Sequence, residues 1–360
     1  MKRVAIILFA ALLFTAHLGW GARADIDTIS RDPYLSALVL DADTGEVLFE
    51  ENSTAIAYPA SVLKLMVLYV VLDRIEQGML RLEDMVQVTG EAARMGGSQV
   101  YLDPKEQFSV EDLLYALIVQ SANDAATALA IHVAGSKDAF VKMMNDTAAG
   151  LGMNNTTFYS VHGLPPSQGQ QVDRTTARDL GILARELAKN PEVFKYTGTR
   201  ERGFRNGEFI MRNHNKLLDS VDGCDGFKTG YFKAAGFSII ATAKRGGVRI
   251  IAVVLGSADR LVRDAKASEL MAVGFTKVPP REEAAPAIQQ PAAAPTAEAN
   301  SGQPEAEPAA AAEADRDAPG RTWGRDLLML GVGFAAGIAF SLGFAMFTSA
   351  SRSNRKRRLM

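Results

Sequence analysis

Three short groups of residues in this chain have the makings of acyl-transfer chemistry. Ser61-Val62-Leu63-Lys64 comes first, then Ser121-Ala122-Asn123, then Lys228-Thr229-Gly230. A serine hydroxyl is a weak nucleophile until a neighbouring base takes its proton. Lys64 is the candidate base, because residues three apart on a helix share a face and the amine can reach the hydroxyl. A free lysine is protonated at neutral pH, so Lys64 has to be depressed. Burial and the positive charge of Lys228 would both act in that direction. Singly, each group has an ordinary reading: a helix start, a Ser/Asn helix cap, a strand-and-turn tripeptide. Three in this order, on suitable elements, carry the signal.

The elements that must position them follow from hydrophobic period and turn residues. Ala37-Leu38-Val39-Leu40 and Glu46-Val47-Leu48-Phe49 flank Asp43-Thr44-Gly45, which predicts a β-hairpin. Pro59 precedes an apolar stretch from Ser61 to Leu72, which predicts a buried helix with Ser61 at its start. Residues 110–119, 122–133, 137–150 and 174–189 are helical by pattern, with Asn123-Asp124 capping the second of these. After Cys224 the pattern changes. Residues 226–232, 237–244 and 248–255 alternate or run β-branched, with Arg245-Gly246-Gly247 as a hairpin turn, and 260–273 closes as a helix. A first hairpin and a late three-stranded meander thus bracket a helical insert. Sheet faces need cover. The expected fold class is therefore α/β: one antiparallel sheet built from sequence-distant ends, flanked by helices, plus a mostly helical lobe. The site is expected in the groove between them.

The ends and the composition set further bounds. Met1-Lys2-Arg3, an apolar run to Leu18 and the Ala22-Arg23-Ala24 cleavage pattern read as a secretory signal peptide over residues 1–24. The folded, catalytic part is expected at 26–278. Residues 281–320 are mostly Ala, Pro and Glu and cannot bury enough apolar surface to fold, so they read as an extended linker. Residues 327–347 form an apolar run long enough to cross a bilayer as a transmembrane helix. The basic tail at 348–360 places the C-terminus in the cytoplasm and the catalytic part outside the cytoplasmic membrane, in the periplasm or its equivalent. Gly333 and Gly337 have the small-x-x-x-small spacing that allows a weak homodimer of anchors. A net charge of −2 argues against nucleic acid as a partner. One cysteine, Cys224, allows no intrachain disulfide and shows no sign of an activated thiol. The four histidines lack ligand spacing, so neither a metal nor an organic cofactor is expected.

The chain resembles the serine-type D-alanyl-D-alanine carboxypeptidases, the low-molecular-mass penicillin-binding proteins. The resemblance runs from about Ser36 to Val273. Tyr58-Pro59-Ala60-Ser61-Val62-Leu63-Lys64 looks like the family's nucleophile box, and Val119-Gln120-Ser121-Ala122-Asn123-Asp124-Ala125-Ala126 like its second, with Ala122 where the family often has Gly. Asn155-Thr156-Thr157-Phe158 leading to His162-Gly163-Leu164 is a further signature, and Asp225-Gly226-Phe227-Lys228-Thr229-Gly230-Tyr231 is the third box. The resemblance implies a β-lactamase/transpeptidase-like fold and acyl-enzyme removal of the terminal D-Ala from peptidoglycan stem peptides. It also implies β-lactam antibiotics as covalent inhibitors. Ser61 would be the nucleophile and Lys64 its base. Ser121 would relay a proton to the leaving amine, and Asn123 would hold the substrate's backbone. Lys228 and Thr229, on an edge strand, would bind the terminal carboxylate, and Gly230 would let the substrate approach. By position, the N–H groups of Ser61 and Tyr231 would form the oxyanion hole. Many relatives add a β-rich domain and a short amphipathic anchor, for which this chain has a linker and a spanning segment.

Other residues have plainer readings. His214 is expected in a hydrogen-bonded structural role and His162 as the shaper of a loop. Arg205 and Arg212 read as solvated charges. A D,D-endopeptidase cutting cross-links uses the same boxes. A β-lactamase needs an added carboxylate, for which Glu186 is the one candidate, although it looks like surface helix. A non-catalytic penicillin-binding sensor is disfavoured by so short a tail.

Overall fold

The computed structural model describes residues 23–281. The signal peptide, the linker, the spanning segment and the basic tail lie outside the described residues, save for their edges at 23, 24 and 281. Among the described residues no helix is long and apolar enough to cross a membrane.

The chain opens with the expected hairpin, β1 (Ser36–Asp41) and β2 (Val47–Glu51), closed by a turn in which Gly45 takes a φ of +77°. A short 3-10 turn, Ala60–Leu63, then leads into helix α1 (Lys64–Glu76). The sequence predicted one continuous helix from Ser61, and the tighter first turn is the difference. The insert continues with β3 (Met85–Gln87), α2 (Gly90–Ala93), β4 (Gln107–Ser109), α3 (Val110–Ile118), α4 (Asn123–Ala134) and α5 (Lys137–Leu151). It ends with α6 (Ala177–Ala188), α7 (Val193–Thr197), β5 (Glu201–Phe204), β6 (Phe209–Arg212) and α8 (Leu217–Ser220). The meander β7 (Cys224–Phe232), β8 (Gly236–Arg245), β9 (Val248–Ser257) and helix α9 (Arg260–Lys277) complete the described chain.

Side chains fix several of these boundaries. Ser109, Ser136 and Thr176 each accept an N–H three residues on, and Asp259 accepts from Leu261 and Val262. The Thr176 cap starts α6 later than the period alone suggested. Arg174 and Thr175 are instead taken up by bridges to Thr157 and Ala57. The two small sheets β3–β4 and β5–β6 were absent from the sequence reading. Each pairs strands of three or four residues, too short for a period of two to show.

The main sheet runs β2-β1-β9-β8-β7, all antiparallel. The first hairpin therefore pairs with the last strand, as the bracketing pattern required. β9 is buried along its whole length, so both sheet faces are covered. One face sets Leu38, Leu40, Ile251, Val253 and Leu255 against the helical lobe, with α1 buried in its middle. The other sets Val39, Ile239, Ala241, Ile250 and Val254 against Ala267, Leu270 and Met271 of α9. β7 is left as an edge, and the 3-10 turn lies against it.

Candidate active site

The 3-10 turn sets the first contact. Side chains three apart eclipse on such a turn, and Lys64 Nζ lies 3.0 Å from Ser61 Oγ. The same nitrogen lies 2.7 Å from Asn123 Oδ1 and 2.8 Å from the His162 carbonyl oxygen. Ala60, just before the nucleophile, holds a φ of +47°. For a residue with a Cβ that conformation stores on the order of 1–3 kcal/mol. It is held in part by Gly163, whose own φ is +74° and whose Cβ, if present, would sit 2.1 Å from the Ala60 carbonyl oxygen. The His162-Gly163 signature is thus a packing requirement of the serine turn.

Lys64 is fully buried. Burial first, and the charge of Lys228 second, push its ammonium well below the ordinary lysine range, while Asp124 and Asp173 pull the other way. Lys228 is 2% exposed, and burial together with Arg263 brings its amine down to about 7. His162 is pushed down to about 3 by burial and by Lys64. Its Nδ1 accepts the Leu164 N–H at 3.1 Å, as a neutral ring can.

The second box differs from its expected form. Ala122 is the N-cap of α4 and makes no side-chain cap. Asn123 does not cap, because its oxygen takes Lys64 and its Nδ2 donates to the Gly96 carbonyl at 2.6 Å. Asp124 turns to the preceding loop and accepts the N–H groups of Val100 and Leu102. Ser121 sits at a φ of +60° and lines the catalytic cavity; its hydroxyl makes no hydrogen bond to another described residue.

The third box runs along the edge strand, where two of its residues face inward. A Cβ on Gly230 would lie 2.7 Å from the Pro59 carbonyl oxygen and 3.0 Å from the Ser61 nitrogen. The bareness of Gly230 therefore seats the nucleophile turn on β7; that space is not left for a substrate. Lys228 shares this inward face of the strand. Its Nζ donates to the Thr229 carbonyl at 3.0 Å, and it does not line the cavity, whereas Thr229, Gly230 and Tyr231 do. The Tyr231 ring is exposed and stacks on Phe237 at a centroid distance of 4.1 Å.

The cations that do line the cavity, of about 330 Å³, are Arg212, Lys216, Arg260 and Arg263, with Ser98 and His214 beside them and no Asp or Glu. Sequence reasoning missed Arg263, Lys216 and Arg260. Arg263 had a legible signal: it falls on the buried stripe of α9, where a charge needs a reason. It donates to the Ser238 carbonyl and pairs with Asp264. Lys216 carried no signal.

The bland readings divide. Cys224 is buried and its thiol is pushed up by burial. Glu186 binds Lys189 and lines a separate cavity with Tyr69 and Leu72, away from Ser61. Arg212 is an exposed charge paired with Glu201. His214 stands on the cavity wall without a side-chain hydrogen bond to another described residue, unlike its expected role. Arg205 is no solvated charge: it grips Glu106 and the carbonyls of Val100 and Tyr101, and ties the β5–β6 hairpin to the loop before β4.

An antiparallel sheet flanked by helices, with a buried lysine against a serine and an edge strand beside them, defines the penicillin-recognising serine enzymes as a class. Within that class the chain belongs to the D-alanyl-D-alanine carboxypeptidase family, peptidase family S11, which matches residues 31–259. It is 36% identical to D-alanyl-D-alanine carboxypeptidase DacF of Bacillus subtilis over 67% of this chain and 62% of the relative. It is 37% identical to DacC of Escherichia coli over 74% of this chain and 67% of the relative. The chain thus spans about two thirds of the length of these relatives. Among solved structures, penicillin-binding protein 6B of Escherichia coli superposes with a TM-score of 0.63 at 32% identity, over 72% of this chain and 81% of the other. Penicillin-binding protein D2 of Listeria monocytogenes, solved with ampicillin bound, gives 0.61 at 32% identity over 70% of this chain and all of the other.

Proposed function

We propose that the chain is a serine D,D-carboxypeptidase that removes the terminal D-Ala from peptidoglycan pentapeptide stems. The observation that carries this reading is the Ser61–Lys64–Asn123 cluster opening on a cationic cavity without a carboxylate. Neutral Lys64 takes the Ser61 proton as Oγ attacks the penultimate D-Ala carbonyl. The oxyanion forms beside the Ser61 and Tyr231 N–H groups. Collapse breaks the peptide bond, and the proton passes from Lys64 by way of Ser121 to the departing amine. Water then hydrolyses the Ser61 ester, with Lys64 again the base. Thr229 and Arg263 receive the terminal carboxylate, and Lys228 acts from beneath by holding Lys64 neutral.

β-Lactams would acylate the same Ser61. A carboxylate beside Ser61 would speed release of the penicilloyl ester, and none lines this cavity, which favours a peptidase over a β-lactamase. A D,D-endopeptidase remains the second reading, because it would use the same three groups of residues. The catalytic part is proposed to work outside the cytoplasmic membrane, held by residues 327–347 with the basic tail inside. Protease that removed a C-terminal tag from intact spheroplasts would overturn that topology. Incubation with diacetyl-Lys-D-Ala-D-Ala, together with labelling by a fluorescent penicillin, tests the activity. Labelling without release of D-Ala would refute it, and conversion of cross-linked muropeptide dimers to monomers without release of D-Ala would favour the second reading.

A further inference from the structure

The described protein holds a buried carboxylate near the reactive pair that the chemistry above does not use. Asp173 lies between the His162-Gly163 signature and α6 and is 5% exposed. It accepts the Tyr159 N–H at 2.6 Å, the Ser160 N–H at 2.9 Å and the Ser160 hydroxyl at 2.8 Å. No cation pairs with it in an ion pair among the described residues. A buried charge without an adjacent counter-ion is costly, and needs compensation from hydrogen bonds and from charge further off.

Those hydrogen bonds lead by a short path to Lys64. Ser160 Oγ, fixed by Asp173, accepts the Gly163 N–H at 2.9 Å and the His162 N–H at 3.4 Å. Gly163 packs under the Ala60 carbonyl, and the His162 carbonyl accepts Lys64 Nζ at 2.8 Å. One turn therefore touches both the serine turn and its lysine, and Asp173 is the anchor of that turn. Thr175, two residues on, exchanges both backbone hydrogen bonds with Ala57, just before the serine turn, at 2.8 and 2.9 Å.

We propose that Asp173 is a positioning residue for Lys64, aiming its amine through the Ser160–Gly163 turn. The proposal rests on the reading of Lys64 as the base. The groups that face Lys64 are Lys228 from β7, Asp124 from the head of α4, His162 from the turn, His214 across the cavity and Asp173 itself. Lys228 lowers the lysine's affinity for its proton, and Asp124 and Asp173 raise it. Asp173 in turn is raised to about 6 by burial, against the hydrogen bonds from Tyr159 and Ser160 and the charge of Lys64, which act the other way. A carboxylate that only stapled a loop would hold the turn without entering the titration of the base.

The test is the pH profile of Ser61 acylation by a fluorescent penicillin in three variants of the full chain, each checked by its melting temperature. Asp173→Asn keeps the shape and the oxygen that accepts the Tyr159 and Ser160 N–H groups, and removes the charge. Its acidic limb is expected to move to lower pH, because the lysine loses an anion that favours its charged form. Ser160→Ala keeps the charge and cuts the bridge. Its limb is expected to stay in place while the plateau rate falls about tenfold, the mark of a misaimed group. An unmoved limb in Asp173→Asn overturns the electrostatic part, and a full plateau in Ser160→Ala overturns the aim. If Asp173→Asn does not fold, Ser160→Ala decides alone. Lys64→Arg separates the two readings. Normal acylation by that variant sinks Lys64 as the base, whereas its loss beside an unmoved limb in Asp173→Asn sinks only the role of Asp173.

Discussion

Asn123 Oδ1 stands closer to Lys64 Nζ, at 2.7 Å, than Ser61 Oγ does, at 3.0 Å. With the His162 carbonyl at 2.8 Å, the nitrogen has two oxygens that can only accept and one hydroxyl that can donate. That set fits a neutral amine: two N–H bonds go to Asn123 and His162, and the lone pair faces the serine. Asn123 is thus a wall of the base as much as a hold for the substrate.

Changing that wall to a carboxylate should disarm the base. In Asn123→Asp an anion at hydrogen-bond distance would favour the ammonium form and raise the lysine's pKa. Acylation at neutral pH is expected to fall at least about tenfold, since each pK unit is a factor of ten. It should recover as pH rises, and a uniform loss at all pH values would contradict this account.

Lys64→Arg keeps a positive charge but cannot give up its proton. Acylation is expected to drop by about 10²–10⁴, the usual worth of a general base. Mass spectrometry after penicillin treatment should find the adduct on the Ser61 peptide in the unaltered protein. An adduct on another peptide, or turnover by Ser61→Ala, would refute the nucleophile.

Arg263→Gln tests the carboxylate end of the cavity. A hydrogen bond to a charged group is worth about 1.5–3 kcal/mol, so kcat/KM for free-carboxylate peptides should fall roughly ten- to hundredfold. Amidated peptides, which lack the anion, should be affected much less. Equal losses for both would place the carboxylate elsewhere.

Gly230→Ala should fail for a reason unrelated to substrate. The added methyl would press on the Pro59 carbonyl oxygen and the Ser61 nitrogen. Overpacking of this kind costs about 1–3 kcal/mol. Thermal unfolding should show the loss in the ligand-free protein, and a variant as stable as the parent would contradict the packing account.

Lys228 should take up a proton when an anionic peptide binds. Burial, with Arg263 beside it, brings its amine down to about 7. At pH 8 it is mostly neutral, and a nearby carboxylate favours the charged form. Calorimetry of Ser61→Ala in buffers of different ionisation heat should report proton uptake at pH 8. Binding heats independent of the buffer would exclude it.

The sheet and the three boxes were readable because each rests on a local pattern. β7, β8 and β9 follow their β-branched runs, and the 174–189 helix erred only where Thr176 caps it. What escaped were contacts made by distant residues. Arg263 and Lys216 reach the cavity from elements far along the chain, and no spacing announces that convergence. The inward contacts of Gly230 and Lys228 escaped because alternation on a strand says which residues share a face, not which neighbour that face meets. Arg205 reads as one more surface charge until its three partners are seen together.

The place of β1 has a bearing on how this molecule comes into being. Its neighbours in the sheet are β2, made at once, and β9, the last strand of the meander. A chain emerging from its N-terminus leaves Ser36–Asp41 with one partner until Val248–Ser257 arrives, and β7, the strand behind the serine turn, comes almost as late. Such distant pairing slows folding. A polypeptide stopped before the meander would carry its serine and lysine with no strand behind them. Acylation of Ser61 therefore serves as a completeness check, positive only once the meander has been delivered and paired.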